Sequence, residues 1–502
     1  MTRGVVAGHM MALGKSRIAV GVCLLGGRHN AIIVESGLID EMLAQFKSFG
    51  LPEHLYKVIA GPQDVADLRR INLVSYKRLR DPIRPGTRRT LAALLRRRFH
   101  TVCADEGSLL AHTDTLQTQA LYRLSPRRRV ALDGTPIANL PRNLLPLVAW
   151  TSGDGTESQP YGVRHPFVCP DLFTSGALAE RGIDRFREEF VVTEWVTHQF
   201  ADGMQSGAKR EIPSLNNLDL YREFVGRHVL RRVRKEPAVQ PYLRIEDPDT
   251  SIETVDWDTA HLKFYVDVAE QFVDWYRSVR SDLAARKLNL VVVLLRLSAA
   301  CRAASIPQDL KGPVRWPGGL TSKQRRCAEL LGDLEDCQAT TLTYFESPVA
   351  AEIIAGQLRA QGREVVVYTG LHSPTKRTRA LNDQFRSGRV RNALLTYGVG
   401  ARGLNLPEAS HCVFYDRMWG ARQEAQAQDR AQRAGRRGRL QALYLHLAGS
   451  TDEYRAQMVA FKSDTANAGL DFAEPEFRPD EYEHWLTMLD RFCESIGRSR
   501  LE

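Results

Sequence analysis

Apolar residues along this 502-residue chain gather in short blocks, and most of those blocks do not alternate with polar positions. The blocks "NAIIVE" (30–35), "TVCADE" (101–106), "RRVALDG" (128–134), "REVVVYTG" (363–370), "NALLTYG" (392–398), "HCVFYD" (411–416) and "QALYLHL" (441–447) are rich in Val, Ile, Leu and Tyr. Each is bounded by turn residues or charges, which predicts strands covered on both faces, as in a parallel sheet. Between them the spacing becomes helical in "GLIDEMLAQFKSF" (37–49), "PVAAEIIAGQLRAQG" (348–362) and "TKRTRALNDQF" (375–385). Alternating strands and helices imply α/β units. The strand blocks lie before about residue 150 and after about 339, whereas 175–310 reads as mostly helical, with one long amphipathic stretch at 259–287. The pattern predicts two α/β domains, 1–174 and 319–465, with helical insertions and a linker at 175–318 and a helical tail at 466–502. Loops at 151–170 and 305–320, rich in Gly and Pro, are the expected connections.

Composition adds three constraints. Apolar residues make up 43% and charged residues 25%, ordinary values for a chain that buries two or three cores. The net charge of +10 favours a polyanionic partner such as nucleic acid. The eight cysteines are scattered without C-x-x-C spacing, so neither a zinc cluster nor a disulfide framework is indicated, and a reducing compartment fits. The N-terminus lacks a signal peptide's apolar run. The longest apolar stretch, "LNLVVVLLRL" (288–297), is shorter than the roughly 20 residues that span a bilayer. Cytoplasmic residence, in a bacterial or phage-infected cell, is expected.

Five strings carry candidate chemistry. "AGHMMALGKSRIAV" (7–20) places Gly14, Lys15 and Ser16 before a helix-like segment. A phosphate loop needs a glycine beside the phosphates, a lysine for the outer phosphates and a hydroxyl for magnesium. The full pattern wants glycine at His9, where this chain has Gly8 instead. "TVCADEGSLL" ends an apolar run on Asp105 and Glu106, a pair suited to holding a metal ion and orienting water. "ALDGTPIANL" puts Gly134, Thr135 and Pro136 after the next strand, where a hydroxyl can sense the nucleotide. "TYGVGARGLNLPEAS" carries Gly398, Gly400 and Gly403, and glycine-rich turns admit phosphate close to the backbone. In "QAQDRAQRAGRRG" (426–438), Arg430 and Arg433 are three residues apart and would share one face of a helix. Alone, that string reads more readily as a solvated basic helix.

Together and in this order, these strings resemble the motifs of superfamily-two helicase-like ATPases, most closely the Swi/Snf-type DNA translocases, from about residue 5 to about 460. "AIIVESGLIDEML" resembles motif Ia and "INLVSYKRLR" (71–80) motif Ib. "REFVGRHVLRRVRKE" (222–236) is similar to the family's arginine pair, and "STDEY" (450–454) to its Thr-x-Glu element. The resemblance implies two RecA-like parallel-sheet domains in tandem that use ATP and Mg2+. It implies that Gly14, Lys15 and Ser16 bind ATP, Ser16 and Asp105 hold the metal, and Glu106 activates water. Gly134, Thr135 and Gly403 would couple the nucleotide to movement. Arg430 and Arg433 would be arginine fingers, with Gln426 at the interface. It also implies tracking along double-stranded DNA, with Ser36, Ser75, Lys77, Thr369 and Asn405 as candidate phosphate contacts. The basic runs "RRTLAALLRRR" (88–98) and "SPRRRV" (125–130) either add to that footprint or are solvated faces.

Five departures accompany the resemblance. The family carries a glutamine-containing adenine-reading element upstream of motif I, and only six residues precede Ala7 here, so that element is expected to be missing. Ala12 stands where glycine is usual, Ser16 where threonine is usual, and Asp133 and Arg436 replace a threonine and a glutamine. Two further readings stay open: a strand-separating DNA or RNA helicase, and an inactive nucleic-acid-binding scaffold.

Overall fold

The computed structural model describes residues 4–473 and residue 494, except for 138–139, 157–158, 165–166, 168–180, 200–204, 244, 285–289, 311–314, 401–403, 434–435 and 437. The chain divides into two units. The first comprises Met1–Thr193, Glu211–Leu243 and Lys462–Pro479, and the second Glu194–Arg210, Arg244–Phe461 and Asp480–Glu502.

The first unit is built on a seven-stranded sheet. Its strands are β1 (Gly4–His9), β2 (Asn30–Val34), β3 (Tyr56–Val58), β4 (Ile71–Ser75), β5 (Thr101–Asp105) and β6 (Arg128–Leu132), joined later in the chain by β9 (Val229–Arg232). The order is β3-β4-β2-β5-β6-β1-β9, with every pairing parallel. Val6 of β1 lies opposite Ala131 of β6 on one side and Val229 of β9 on the other. Strands flanked on both sides must be apolar throughout, and β2, "NAIIV", is buried at every position. The amphipathic helix Ile39–Ser48 buries Met42 and Phe46 against one face, in a cluster with Ile32 and Val34.

The second unit carries a six-stranded, all-parallel sheet: β10 (Asp249–Val255), β11 (Thr341–Phe345), β12 (Val365–Tyr368), β13 (Asn392–Thr396), β14 (His411–Phe414) and β15 (Gln441–Leu447). Its order is β10-β15-β14-β11-β13-β12. The α/β architecture expected from the apolar blocks therefore holds in both units.

The stretch expected to be a helical insertion behaves differently. It contains β7 (Val191–Gln199) and β8 (Gln205–Leu215), which form a two-stranded sheet, and it supplies β9 and β10 to the two large sheets. Its helices are divided between the units by what they bury. Helices Gly182–Phe190 and Leu218–His228 interlock through Phe186, Phe190, Tyr221 and Phe224 in the first core, with Phe186 and Phe190 centroids 4.8 Å apart. Helix Thr259–Ala284 shares a core with helix Leu290–Ser305 and helix Pro348–Ala360, through Phe264, Tyr265, Ala300 and Ile354. Helix Thr451–Leu470 starts in the second unit, and from Lys462 its residues belong to the first. Among the described residues no helix is long and apolar enough to cross a membrane.

Candidate nucleotide site

In a parallel sheet the loops at the carboxyl ends of adjacent strands meet at one edge. In the first unit β5, β6, β1 and β9 are neighbours, so the segments after Asp105, Leu132, His9 and Arg232 converge. The loop after β1 is shaped by two left-handed residues, Ala12 (φ 67°) and Gly14 (φ 73°). Gly14 is the N-cap of helix Lys15–Leu25 and offers no side-chain cap, which leaves the first helical N–H groups available to an anion. The Lys15 ammonium lies back over the loop, donating to the carbonyls of His9 (3.1 Å) and Met10 (3.3 Å). His9, at the position where the phosphate-loop pattern has glycine, turns its ring to β9, with Nδ1 3.0 Å from the Leu230 carbonyl, and burial pushes its pKa down.

The acidic pair sits beside this loop. The protein around Asp105 strips it of water and, with the Glu106 carboxylate alongside, pushes its pKa up to about 7, while Lys15 pulls it back. Glu106 itself adopts the left-handed conformation (φ 52°, ψ 52°), a strained geometry for a non-glycine residue, worth about 1 kcal/mol. Tyr76, in the Ser-Tyr segment, is buried and donates from its hydroxyl to the Asp105 carbonyl at 2.7 Å.

Asp133 is the residue that the departure from threonine did not explain in the sequence. It is fully buried, and its two oxygens accept from the backbone N–H of Ser108 (2.6 Å) and of Thr135 (2.7 Å). One carboxylate thus ties the turn after Glu106 to the turn carrying Gly134 and Thr135. A side chain at Gly134 would meet Met11 of the phosphate loop at 3.0 Å, so that turn packs directly on the loop. The hydroxyls of Ser108 and Thr135 are buried without a hydrogen-bond partner.

Two further arginines hold the loop, and sequence reasoning noted them only as a family signature. Arg231 donates from Nη1 to the carbonyls of Gly8 (2.6 Å) and Gly134 (2.9 Å) and pairs through Nε and Nη2 with Asp471. Arg234, buried, donates to the Met11 carbonyl at 3.3 Å, and the Met10 N–H bonds the Arg232 carbonyl at 3.0 Å. These residues lie more than two hundred positions after the loop they support, so only the pairing of β9 with β1 brings them there.

In the second unit, the helix expected to present Arg430 and Arg433 on one face spans Ala421–Gln428 and stops before both. The two arginines instead follow in a turn, where the Arg430 carbonyl accepts from the Leu406 N–H at 2.8 Å rather than continuing the helix. Arg430 is buried and donates to the carbonyls of Gln426 (3.0 Å) and Leu404 (3.2 Å). Arg433 is half-buried at the end of the turn, and Gln426 is buried on the helix. Gly403 lies outside the described residues. Arg436 anchors its turn to the loop before β14 through the Ser410 carbonyl at 3.2 Å. In "STDEY", Glu453 of the Thr-x-Glu element accepts from the Gly449 N–H at 3.0 Å, and Asp452 beside it forms a buried ion pair with Lys323 at 2.6 Å.

The candidate phosphate contacts separate by exposure. Ser36, Lys77 and Asn405 are exposed. Ser75 is buried and caps helix Tyr76–Arg80 by accepting from the Arg78 N–H at 3.2 Å. Thr369 is fully buried, with its hydroxyl 3.5 Å from the His372 ring.

Residues 22–158 match the SNF2-related domain family, and residues 322–435 match the helicase conserved C-terminal domain. A probable global transactivator of Orgyia pseudotsugata multicapsid polyhedrosis virus is 24% identical over 446 residues, which are 86% of this chain and 79% of the viral protein. An uncharacterized ATP-dependent helicase of Mycoplasma pneumoniae is 22% identical over 446 residues, covering 88% of this chain and 37% of its own length. The helicase domain of Hef from Pyrococcus furiosus superposes with a TM-score of 0.51 at 14% identity, over 91% of this chain and 95% of that one, a likeness of fold. Two parallel sheets of this kind in tandem, with the phosphate loop, acidic pair and arginine turn in family order, identify the chain as a member of the Swi/Snf-type superfamily-two helicase-like ATPases.

Proposed function

We propose that this chain couples ATP hydrolysis to movement along double-stranded DNA. The observation that carries the reading is the gathering of Lys15, Asp105, Glu106 and Asp133 at one edge of the first sheet, with an uncapped helix N-terminus beside them. Carboxylates gathered closely enough that burial and the neighbouring Glu106 charge raise the pKa of Asp105 fit a divalent cation, and open N–H groups fit phosphate. Ser16 and Asp105 are the residues to hold Mg2+, which when bound offsets charge on the phosphates. Lys15 leaves the loop carbonyls to bind the outer phosphates. Glu106 holds and deprotonates the attacking water, and its left-handed turn, pinned by Asp133 through Ser108, fixes its direction. Arg433 supplies the cation that the transferring phosphoryl group requires. Arg430, committed to the Leu404 and Gln426 carbonyls, orders the turn that carries it. Thr135, with its unpartnered hydroxyl, and Gly134 relay the state of the nucleotide, and Gly403 does so from the second unit.

On the nucleic-acid side, exposed Ser36, Lys77 and Asn405 contact the phosphate backbone through side chains. Ser75 and Thr369, being buried, act by shaping the loops that do so. Such contacts are independent of sequence and sensitive to salt. The test is ATP turnover with duplex DNA, single-stranded DNA and RNA. Stimulation greatest with duplex is expected. Greater stimulation by a single strand would mean strand separation, and turnover no faster than that of Glu106→Gln would mean an inactive scaffold.

A further inference from the structure

The two basic runs at 88–98 and 125–130 meet in the structure, at the edge of the first sheet opposite the nucleotide loops. Residues 82–90 fold back on themselves, with a bridge between Pro82 and Thr90 and the Ile83 N–H on the Arg89 carbonyl at 2.9 Å. After the short helix Leu91–Leu95, the Arg96 carbonyl accepts from Ser125 at 2.7 Å. The His100 carbonyl accepts from Arg127 and Arg128 at 2.9 and 3.0 Å, and Arg123 reaches the Thr90 hydroxyl at 3.4 Å. His100 and Arg128 stand at the amino ends of β5 and β6. A five-residue strand places this edge roughly 16 Å from the carboxyl edge where the nucleotide binds.

Arg88 and Arg89 on the hairpin, Arg96, Arg97 and Arg98 on the next turn, and Arg127 and Arg128 at β6 are all exposed. None of them forms an ion pair with a described carboxylate, and Asp81 at the foot of the hairpin faces Arg80, at 3.6 Å. By contrast, Arg363 is neutralised by Glu335 and Asp336, and the exposed Arg439 by Glu246 and Asp249. Unpaired guanidinium groups drawn from separate segments repel one another, so an external polyanion stabilises the arrangement. None of the exposed large apolar residues falls within 84–98 or 123–128, and the exposed Leu24 and Leu25 lie beside that surface, next to Gly27 at His100. The dense positive charge favours a polyanion, and a protein partner is an outcome of the test.

We propose that this edge is a second polyanion-binding surface that takes the phosphate backbone of duplex nucleic acid, apart from the nucleotide edge where the tracking contacts lie. The proposal rests on nucleic acid being the partner of this chain. Its test is the full chain carrying Arg88→Gln, Arg89→Gln, Arg96→Gln and Arg97→Gln together, with Arg127→Gln/Arg128→Gln as an independent second variant. Anisotropy with a long duplex is measured across a salt series, beside basal turnover, which reports that the fold is kept. Each variant should lose affinity, about tenfold for the first, with a shallower salt dependence by about 0.9 in log–log slope per phosphate contact removed. Basal turnover should be unchanged. Wild-type affinity and slope in both variants overturns the proposal, as does a wild-type chain that binds no duplex. Duplex binding kept while poly-glutamate binding is lost assigns the surface to an acidic protein and overturns it equally. Wild-type turnover that no nucleic acid stimulates removes the motor reading alone, since the binding comparison decides this surface by itself.

Discussion

Arg231 grips Asp471 through both carboxylate oxygens while its third nitrogen holds the carbonyls of Gly8 and Gly134. A residue just past helix Thr451–Leu470 is thereby tied to the phosphate loop and to the turn carrying Gly134. Neutralising the carboxylate in Asp471→Asn should raise the KM for ATP and cost about 1–2 kcal/mol of stability, since both side chains are largely buried. Urea denaturation and ATP titration of turnover check this. A KM equal to that of the wild type would mean that Arg231 needs no anchor.

Arg433→Ala should lower kcat by about 10³-fold or more, with ATP affinity nearly intact, because a finger acts mainly in the transition state. Arg430→Ala should instead lower stability, since Arg430 bonds two buried carbonyls. Equilibrium nucleotide binding and turnover of the two variants separate these outcomes, and unchanged turnover in Arg433→Ala refutes its assignment.

Asp133→Asn should destabilise the first unit by about 1–3 kcal/mol. Both carboxylate oxygens accept from backbone N–H groups, and an amide turns a donor toward one of them. Turnover should fall with it, because the turn after Glu106 loses its anchor. Thermal melts of the variant together with its kcat test the coupling.

Ala12→Gly should stabilise the chain by about 0.5–1 kcal/mol, because Ala12 holds a backbone conformation that only glycine adopts freely. Denaturant midpoints measured with and without ATP provide the check. A lower midpoint would show that the methyl group contributes packing that outweighs the strain.

His228 is buried against the Ser152 hydroxyl at 3.0 Å, and burial followed by the Arg227 charge pushes its pKa down to about 4 from 6.5. The unfolded chain therefore binds a proton that the folded chain refuses between these values, and stability falls as pH drops from about 6.5 to about 4. His228→Gln should flatten the midpoint-versus-pH curve in that window. A curve as steep as that of the wild type would place the titration elsewhere.

Much of the architecture could be read in the chain. β15 coincides with its apolar block, and β2, β5, β6, β12, β13 and β14 fall within theirs, because a strand covered on both faces has to be apolar along its length. β9, "VLRR", has no such block, and it was unreadable because only one edge of a short strand is paired. The candidate residues of the phosphate loop and acidic pair were legible because their spacing is local. The turn that replaced the arginine helix was not, since Arg430 there pairs with Leu404 and Leu406, more than twenty positions away.

The order of motifs, the two α/β units and the candidacy of Lys15, Asp105, Glu106 and Arg433 were legible in the sequence alone, through short-range periodicity, turn chemistry and the family resemblance. The tertiary structure decided that Asp133 would bridge two turns, that Arg231 and Asp471 would brace the loop, and that two basic runs would meet at one edge. Those relationships join residues between 25 and 240 positions apart, and no local rule of backbone or side chain reaches that far. They follow from which strands lie side by side, and packing of the whole core sets that order.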